Sequence, residues 1–347
     1  MLGAAEPRLR PLGTPLADMA RQVGDAVQAE RIRADVMAIS SPRNRLYHSG
    51  AEQFESLIQA RFSEAGWIAE RDPFHYENAA QVLEYASDGQ AALTDGKDLY
   101  GVNVIARLDG TAPGPPVVIG AHYDTVPNSP GADDNGSGVA ALLELARVLK
   151  PMPVRVPVIL AAFDHEEAGM FGSRAFVDKM ISAGGVRLAV IYECIGYSGD
   201  RPGTQWIPPG IGTLYRGQVR KMRRRGLLGD ETIVIYEGSS AFAARHLGEH
   251  LSHLTDRDRV VLLRNPVDLP AIGRLIRRGI PWASDFARSD HVPFWRASLP
   301  AVQITDTANM RNPHYHKPSD TPDKLDYGRI ADVVTATAVL ILRMSGL

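Results

Sequence analysis

Several features that mark specialised classes of protein are scarce in this sequence. Its 347 residues include one cysteine, Cys194, so no disulfide can form within the chain and the fold depends on its core. The formal net charge is −2, which argues against nucleic acid or an anionic membrane as a partner. The longest apolar run near the end, VVTATAVLIL at 333–342, is too short to span a bilayer.

A signal peptide is also missing from the sequence as given. The opening stretch, MLGAAEPRLRPLGTPLADM, has no apolar segment of the kind that export signals carry. We therefore expect a cytoplasmic protein, and a trimmed export signal is the alternative. The hydrophobic content of 44% and charged content of 22% are ordinary for a soluble globular enzyme.

The apolar pattern differs between the N-terminal region and the rest of the chain. Residues 1–66 show helical periodicity in LADMARQVGDAVQAERIRADVMAI and in AEQFESLIQARFSEAG. From about residue 100, apolar strands alternate with amphipathic helices. This alternation predicts an α/β fold, a three-layer α/β/α sandwich around a mostly parallel mixed sheet.

A stretch rich in Gly, Pro and Arg interrupts this alternation from residue 199. We interpret 199–280 as a lid insertion. The sheet then resumes with LPAVQITD, and a helix at about 326–345 closes the chain. Residues 1–347 are therefore expected to form a single domain with a helical N-terminal region and one insertion.

Polar side chains follow three of the predicted inner strands. His122 and Asp124 come after VVIGA, the residues DHEE at 164–167 come after VILAAF, and Glu193 comes after LAVIY. A fourth cluster, NPHYHKPSDT at 312–321, follows the last strand. Because the carboxyl ends of parallel strands meet at one edge of a sheet, we expect these side chains to lie close together.

The segment GAHYDTVPNSPGADDNGSG, residues 120–138, allows three interpretations. A phosphate loop is disfavoured because its aspartates would repel the anion and no lysine follows the glycines. The spacing of polar residues from Asp133 to Glu144 is close to that of an EF-hand calcium loop. However, a strand and a Pro/Gly turn precede this loop instead of a helix, and Glu144 falls within a predicted helix.

A zinc site accounts for more of the residues in this segment than either alternative. A histidine nitrogen with carboxylate oxygens is typical of catalytic zinc. Asp124 can accept the second ring N–H of His122 and so fix its tautomer. Acids crowded around one histidine would repel each other without a cation, and a carboxylate shared by two metals is the arrangement found in two-metal hydrolytic sites.

Five motifs together resemble one known family. AHYDT…GADDNGSG, FDHEEAGMFGSRAF, YECIGYS, SDHVPFW and HYHKPSDT follow one another in the order and spacing of the M28 zinc metallopeptidases. That family includes co-catalytic aminopeptidases, and its relatives include glutamate carboxypeptidase II and glutaminyl cyclase. The resemblance runs from about residue 100 to 345, and residues 1–99 and 200–280 contribute little to it.

The resemblance implies a role for each matching residue. His122 and Glu193 would hold one zinc ion, Glu167 and His316 the other, and Asp134 would bridge them. A cis peptide between Asp134 and Asn135 is expected, since the family often has one after the bridging residue. The remaining residues of the expected site are the general base Glu166, the supporting Asp124, the oxyanion-stabilising Tyr315, and Asp290 and His291, which would support the ligands, contact substrate or merely cap a turn.

The expected function is therefore a dizinc exopeptidase, an aminopeptidase that hydrolyses the N-terminal peptide bond of short peptides. Glu193 departs from the Asp that many aminopeptidases of the family carry, so a carboxypeptidase or another zinc amidohydrolase stays open. A glutaminyl cyclase-type acyltransferase with a single zinc is the alternative enzyme. The same fold could also serve as a non-catalytic binding module. We expect a peptide or amide substrate, no nucleic acid or membrane partner, and leave a homo-oligomer open.

Overall fold

The computed structural model of the protein describes residues 6–79 and 98–346, except 271, 272, 274, 275, 277 and 278. Its centre is one eight-stranded sheet in the order β1-β2-β4-β3-β5-β8-β6-β7. The strands in chain order are β1 Ile68–Tyr76, β2 Leu99–Leu108, β3 Val117–His122, β4 Val158–Phe163, β5 Leu188–Glu193, β6 Thr232–Tyr236, β7 Val260–Arg264 and β8 Ala301–Thr305.

The inner strands are parallel and the outer pairings are mixed. β4, β3, β5 and β8 are successive parallel neighbours, and β6 pairs in parallel with β7. The pairs β1·β2, β2·β4 and β6·β8 are antiparallel. All residues of β3, β4 and β5 are buried, as expected for strands covered on both faces.

Helices cover both faces of this sheet and complete the three layers. One core contains side chains from the N-terminal helices, from the helix after β3 and from the last helix, and a second core on the opposite face contains those of the helix after β4. The helices are α1 Thr14–Ala26, α2 Ala29–Ile39, α3 Ala51–Glu64, α4 Gly138–Leu149, α5 Phe171–Ser182, α6 Ile211–Leu214, α7 Arg216–Arg224, α8 Ala241–Leu254, α9 His291–Arg296 and α10 Tyr327–Met344. Among the described residues, none of these helices is long and apolar enough to cross a membrane.

The structure differs from the predicted elements at three places, two of which lie in the first 76 residues. The first predicted helix is divided into α1 and α2, because the backbone is extended at Val27 and the N–H of Gln28 donates to Glu144 Oε1 at 2.7 Å. The edge strand β1 has a largely polar, exposed sequence and was not predicted.

The segment interpreted as a lid insertion contributes two strands to the sheet. β6 and β7 have the apolar sequences TIVIY and VVLLR, and α8 between them packs against α10. Residues 232–236 and 260–264 therefore belong to the central sheet, although the segment begins with Gly- and Pro-rich sequence that is typical of loops. Six of its later positions, within 271–278, lie outside the described residues.

Candidate dimetal site

The site is built at the carboxyl ends of β3, β4 and β5. His122 is the last residue of β3, Glu166 and Glu167 follow β4, and Glu193 is the last residue of β5. His316 lies in the loop after β8, and Asp134 lies between β3 and α4. The structure thus brings together all five predicted ligands and the predicted base, from segments almost 200 residues apart.

Asp134 lies between the two histidines with one carboxylate oxygen toward each. Its Oδ1 is 3.3 Å from His122 Nε2, and its Oδ2 is 3.1 Å from His316 Nε2. On one side, Glu193 Oε2 is 3.4 Å from His122 Nε2; on the other, Glu167 Oε1 is 3.3 Å from His316 Nε2. Two groups of three ligands therefore share Asp134, which is the arrangement of a bridged two-metal site.

The neighbouring Asp133 has a different environment. Its Oδ1 accepts the N–H of Gly196 at 2.9 Å, and its Oδ2 accepts the side-chain N–H of Asn312 at 2.8 Å. Both oxygens are thereby directed to supporting loops. The peptide bond that follows Asp134 is cis, as the family resemblance led us to expect.

Two further buried carboxylates hold the ligand loops in place. Asp124 accepts the N–H groups of Glu166 at 3.0 Å and Glu167 at 3.2 Å. In the same way, Asp320 accepts the N–H groups of Asp133 at 3.0 Å and Asp134 at 3.2 Å. Each carboxylate accepts hydrogen bonds from two adjacent backbone amides. Each therefore fixes the direction in which the side chains of those two residues leave the backbone.

The contact between Asp124 and His122 differs in detail from the prediction. His122 Nδ1 is 3.1 Å from the backbone carbonyl of Asp124 and 3.4 Å from its carboxylate Oδ1. The nearer partner of the ring is therefore the main chain. Either contact favours a proton on Nδ1, which leaves Nε2 directed toward Asp134.

Glu166 lies at the open side of the two ligand groups. Its Oε2 is 4.0 Å from His122 Nε2, and about a tenth of its side chain is exposed. Burial raises the pKa of Glu166 well above its ordinary value; the charge of His122 opposes this shift, and repulsion by Glu193 and Glu167 adds to it. A carboxylate with a raised pKa is suited to accept a proton near neutral pH.

Tyr315 and His316 are adjacent and stacked. Their ring centroids are 3.8 Å apart with an interplanar angle of 16°. Burial, followed by the charges of Asp134 and Glu167, raises the pKa of Tyr315 well above its ordinary value. Its phenol therefore stays protonated and can donate a hydrogen bond.

Asp290 and His291 lie in different surroundings. Asp290 is fully buried and accepts the hydroxyl of Ser173 at 2.5 Å, while burial raises its pKa to about 7. Ser289, which was not predicted, donates to Glu193 Oε2 at 2.7 Å. His291 contacts the carbonyl of Phe286 at 2.9 Å and packs edge-on against Trp295, so its observed contacts hold α9.

A third cluster, Asp124, Asp164 and His165, also has atoms within metal-binding range of one another. Asp164 Oδ2, however, accepts Arg45 Nε at 2.9 Å and the N–H of Val102 at 3.1 Å. His165 Nε2 lies 3.1 Å from the carbonyl of Tyr100. These atoms already have hydrogen-bond partners, so the cluster is structural.

The donor atoms of the two ligand groups fit zinc. His122 Nε2 and Glu167 Oε1 are buried and make no hydrogen bond to the part of the chain that the structure describes. Buried polar atoms without partners are rare and point to a missing ion or ligand. The imidazole and carboxylate donors are those of catalytic zinc sites, so the residues present suit two such ions.

A cavity of about 100 Å³ opens beside Glu193 and Tyr315. Arg288 and Asp285 also line it, with Arg288 Nη1 3.8 Å from Asp285 Oδ1. Most of its wall is apolar and is formed by Ile211, Ile233, Ile235, Leu263, Trp282 and Phe286.

Comparison with known proteins agrees with this geometry. The sequence profile of peptidase family M28 matches residues 103–220 and 271–341, more than half of the chain. The chain belongs to peptidase family M28. It is 32% identical to uncharacterized protein YfbL of Escherichia coli K12 over 323 residues, which are 87% of this chain and 90% of YfbL.

Three further comparisons concern one aminopeptidase sequence and two solved structures. Aminopeptidase YwaD of Bacillus subtilis is 30% identical over 227 residues, which are 63% of this chain and 40% of YwaD. The solved structure of BSAP, a zinc aminopeptidase from Bacillus subtilis, superimposes with a TM-score of 0.64 at 16% identity, over 92% of this chain and 95% of that one. The solved structure of glutaminyl cyclase from Porphyromonas gingivalis superimposes with a TM-score of 0.60 at 17% identity, over 93% of this chain and 99% of that one.

The family profile and the aminopeptidase relative confirm the predicted family and the metallopeptidase class, and the solved structures confirm the α/β fold. The solved structures are below 20% identity and support the fold alone. The M28 profile leaves out residues 221–270, the stretch that contains β6 and β7.

Proposed function

We propose that this M28 protein is an aminopeptidase that uses two zinc ions to release the first residue of short peptides. The observation that carries the proposal is Asp134, whose two carboxylate oxygens are directed at the two histidines of separate ligand groups. His122 and Glu193 would hold one ion, Glu167 and His316 the other. When bound, zinc polarises the scissile carbonyl and lowers the pKa of water.

The side chains around these ligands supply the proton transfers. Glu166 accepts a proton from the attacking water and returns it to the leaving amine, acting first as base and then as acid. Its buried position and raised pKa support that dual role. Tyr315, protonated beside His316, donates a hydrogen bond to the oxygen on which negative charge develops. Asp124 keeps Glu166 and Glu167 pointing in their two different directions.

The cavity beside Glu193 accepts the side chain of the residue that is released. Its apolar wall, with two isoleucines from β6 and the rings of Trp282 and Phe286, favours a bulky apolar side chain. Burial of such a side chain provides about 1.5–3 kcal/mol. Peptides that begin with leucine, methionine or phenylalanine are therefore the proposed substrates, and those that begin with glycine or aspartate are poor ones.

A substrate panel tests the proposal. Aminoacyl, N-acylated and carboxyl-terminal reporter substrates are assayed on the same protein with and without a zinc chelator, and zinc per chain is counted by elemental analysis. We expect hydrolysis of leucyl and phenylalanyl substrates, loss of activity with the chelator, and two zinc ions per chain.

Other results would identify a different member of the fold. Cleavage only at a C-terminal residue would indicate a carboxypeptidase and overturn the proposal. One zinc ion with pyroglutamate formation from N-terminal glutamine would indicate a cyclase. No metal in carefully prepared protein would indicate a binding module.

A further inference from the structure

Arg43 lies in the segment between α2 and α3 and is 1% exposed. Its guanidinium donates to the main-chain carbonyls of Ile39 at 2.9 Å and Ser41 at 3.2 Å within its own segment. The other acceptors belong to the loop after β3. A buried arginine usually pairs with a carboxylate, so a guanidinium satisfied by carbonyls calls for an explanation.

The contacts of Arg43 close the loop of residues 123–131. Its Nε donates to the carbonyl of Tyr123, and the other two nitrogens donate to Pro130 at 2.6 Å and Gly131 at 2.8 Å. Tyr123 follows the ligand His122, and Gly131 precedes the turn to Asp134. One planar group therefore joins the two ends of the loop that separates these two ligands.

The packing around this junction leaves little room for rearrangement. Gly131 has φ 58°, and a Cβ added there would lie 2.3 Å from the carbonyl oxygen of Asp134 and 3.1 Å from Arg43 Nη2. Thr125, inside the loop, accepts the N–H of Arg43 on its hydroxyl at 3.0 Å and the side chain of Asn44 on its carbonyl at 2.5 Å. The loop is thus held at both ends and in the middle by two consecutive residues.

The charge of Arg43 acts on the same region. Burial lowers the pKa of Arg43 to about 10, and the carboxylates that oppose this effect are Asp320, Asp124, Asp134 and Glu167. Arg43 therefore keeps its positive charge at neutral pH. It lies close to residues that ligate or support both ligand groups.

We propose that Arg43 is a positioning residue, which sets the separation of His122 and Asp134 and thereby the zinc affinity of the site. The inference rests on the proposed dizinc function. It assigns a role to the N-terminal helical region, which lies outside the segments matched by the M28 profile. Because the guanidinium spans three carbonyls of the 123–131 loop as a rigid fork, a lysine ammonium cannot replace it.

The test compares zinc binding to the metal-free forms of the full-length protein and of Arg43→Lys and Arg43→Met. Zinc is titrated in competition with a chromophoric chelator, and cobalt(II) substitution reports ligand geometry through its absorption spectrum. Changes behind metal ligands typically reduce affinity by about 10–100-fold. We expect a loss in this range for both variants, for the ion on the His122 side, together with an altered cobalt spectrum.

Arg147→Met is the matched control. Arg147 is an arginine of the helical layer whose side chain is 21% exposed, and it joins α4 to α2 through Asp35 at 2.7 Å without a bond to a ligand loop. A purely structural role for Arg43 would lower the stability of the metal-free and zinc-loaded proteins equally, as expected for the control. A positioning role also lowers the stabilisation that zinc adds, by about 1.4 kcal/mol for each tenfold loss of affinity.

Each outcome either supports or overturns the proposed role of Arg43. Wild-type zinc affinity and cobalt spectrum in Arg43→Lys would overturn the role of the fork. If Arg43→Met does not fold, Arg43→Lys and Thr125→Val, which removes the hydroxyl acceptor, carry the comparison. If the unmodified protein binds no zinc, the proposed function fails; if it binds zinc and the variants bind equally well, only the role of Arg43 fails.

Discussion

Asp320 offers the sharpest test of how the bridging carboxylate is held. It is fully buried and accepts the N–H groups of both Asp133 and Asp134. Asp320→Asn keeps the size of the side chain but replaces one acceptor oxygen with an NH₂ group. One of the two backbone N–H groups then faces another donor and loses its partner.

The magnitude follows from that lost contact. A hydrogen bond to a charged group contributes about 1.5–3 kcal/mol, and a buried donor left without a partner costs about 1–3 kcal/mol. Since both descriptions refer to the same bond, we expect the free energy of unfolding of the metal-free protein to fall by about 2–3 kcal/mol. The displaced Asp134 should also weaken zinc binding by about 10–100-fold.

Unfolding in denaturant and zinc titration are measured on the metal-free protein at about pH 8. This pH is chosen because burial, followed by the charge of Asp133, raises the pKa of Asp320 to about 7; above it the carboxylate is ionised. Asp323→Asn, on the same loop but exposed and paired with Lys324, is the control. An Asp320→Asn protein as stable and as zinc-avid as this control would refute the reasoning.

Three further predictions concern the base, the substrate cavity and the protons of the site. Glu166→Gln should lower kcat by about 10²–10⁴-fold with unchanged zinc content; near-normal turnover would exclude Glu166 as the base. Ile211→Trp should raise KM for leucyl substrates by about tenfold and leave alanyl substrates unaffected, with the exposed Ile181→Trp as control; equal effects on both substrates would contradict the cavity assignment. Burial lowers the pKa of His316, but Glu167 and Asp134 raise it to about 12, so zinc must displace a proton. Affinity for zinc should therefore rise with pH, and calorimetry that gives the same heat in buffers of different ionisation enthalpy would refute the release.

The ligands could be predicted because their position depends on local rules. An apolar strand followed at once by His or Glu places that side chain at the sheet edge, and parallel strands bring such edges together. His122 and Glu193 follow this pattern, and Glu167 comes four residues after the end of β4. The choice of Asp134 over Asp133 came from family resemblance, and in the structure Asp133 bonds to Gly196 and Asn312 instead.

Asp320 and Arg43 could not be predicted in this way because their partners are backbone atoms distant in the sequence. Asp320 acts on amides 186 and 187 positions away, and Arg43 acts on carbonyls 80–88 positions away. Neither periodicity nor spacing encodes such contacts. β6 and β7 could not be predicted for another reason: their short apolar runs lie among Gly-, Pro- and Arg-rich sequence, where strand signals compete with turn signals.

The position of β6 and β7 has a consequence for how relatives diverge. Every proposed zinc ligand lies within the segments that the M28 profile matches, whereas the cavity residues Ile233, Ile235 and Leu263 lie in the stretch that it leaves out. β6 and β7 form one edge of the sheet and are separated from β5, which carries Glu193, by β8. Evolution can therefore exchange this edge and alter selectivity while the hydrolytic centre is inherited intact. Grafting residues 221–270 from a relative is the corresponding engineering route to a new substrate range.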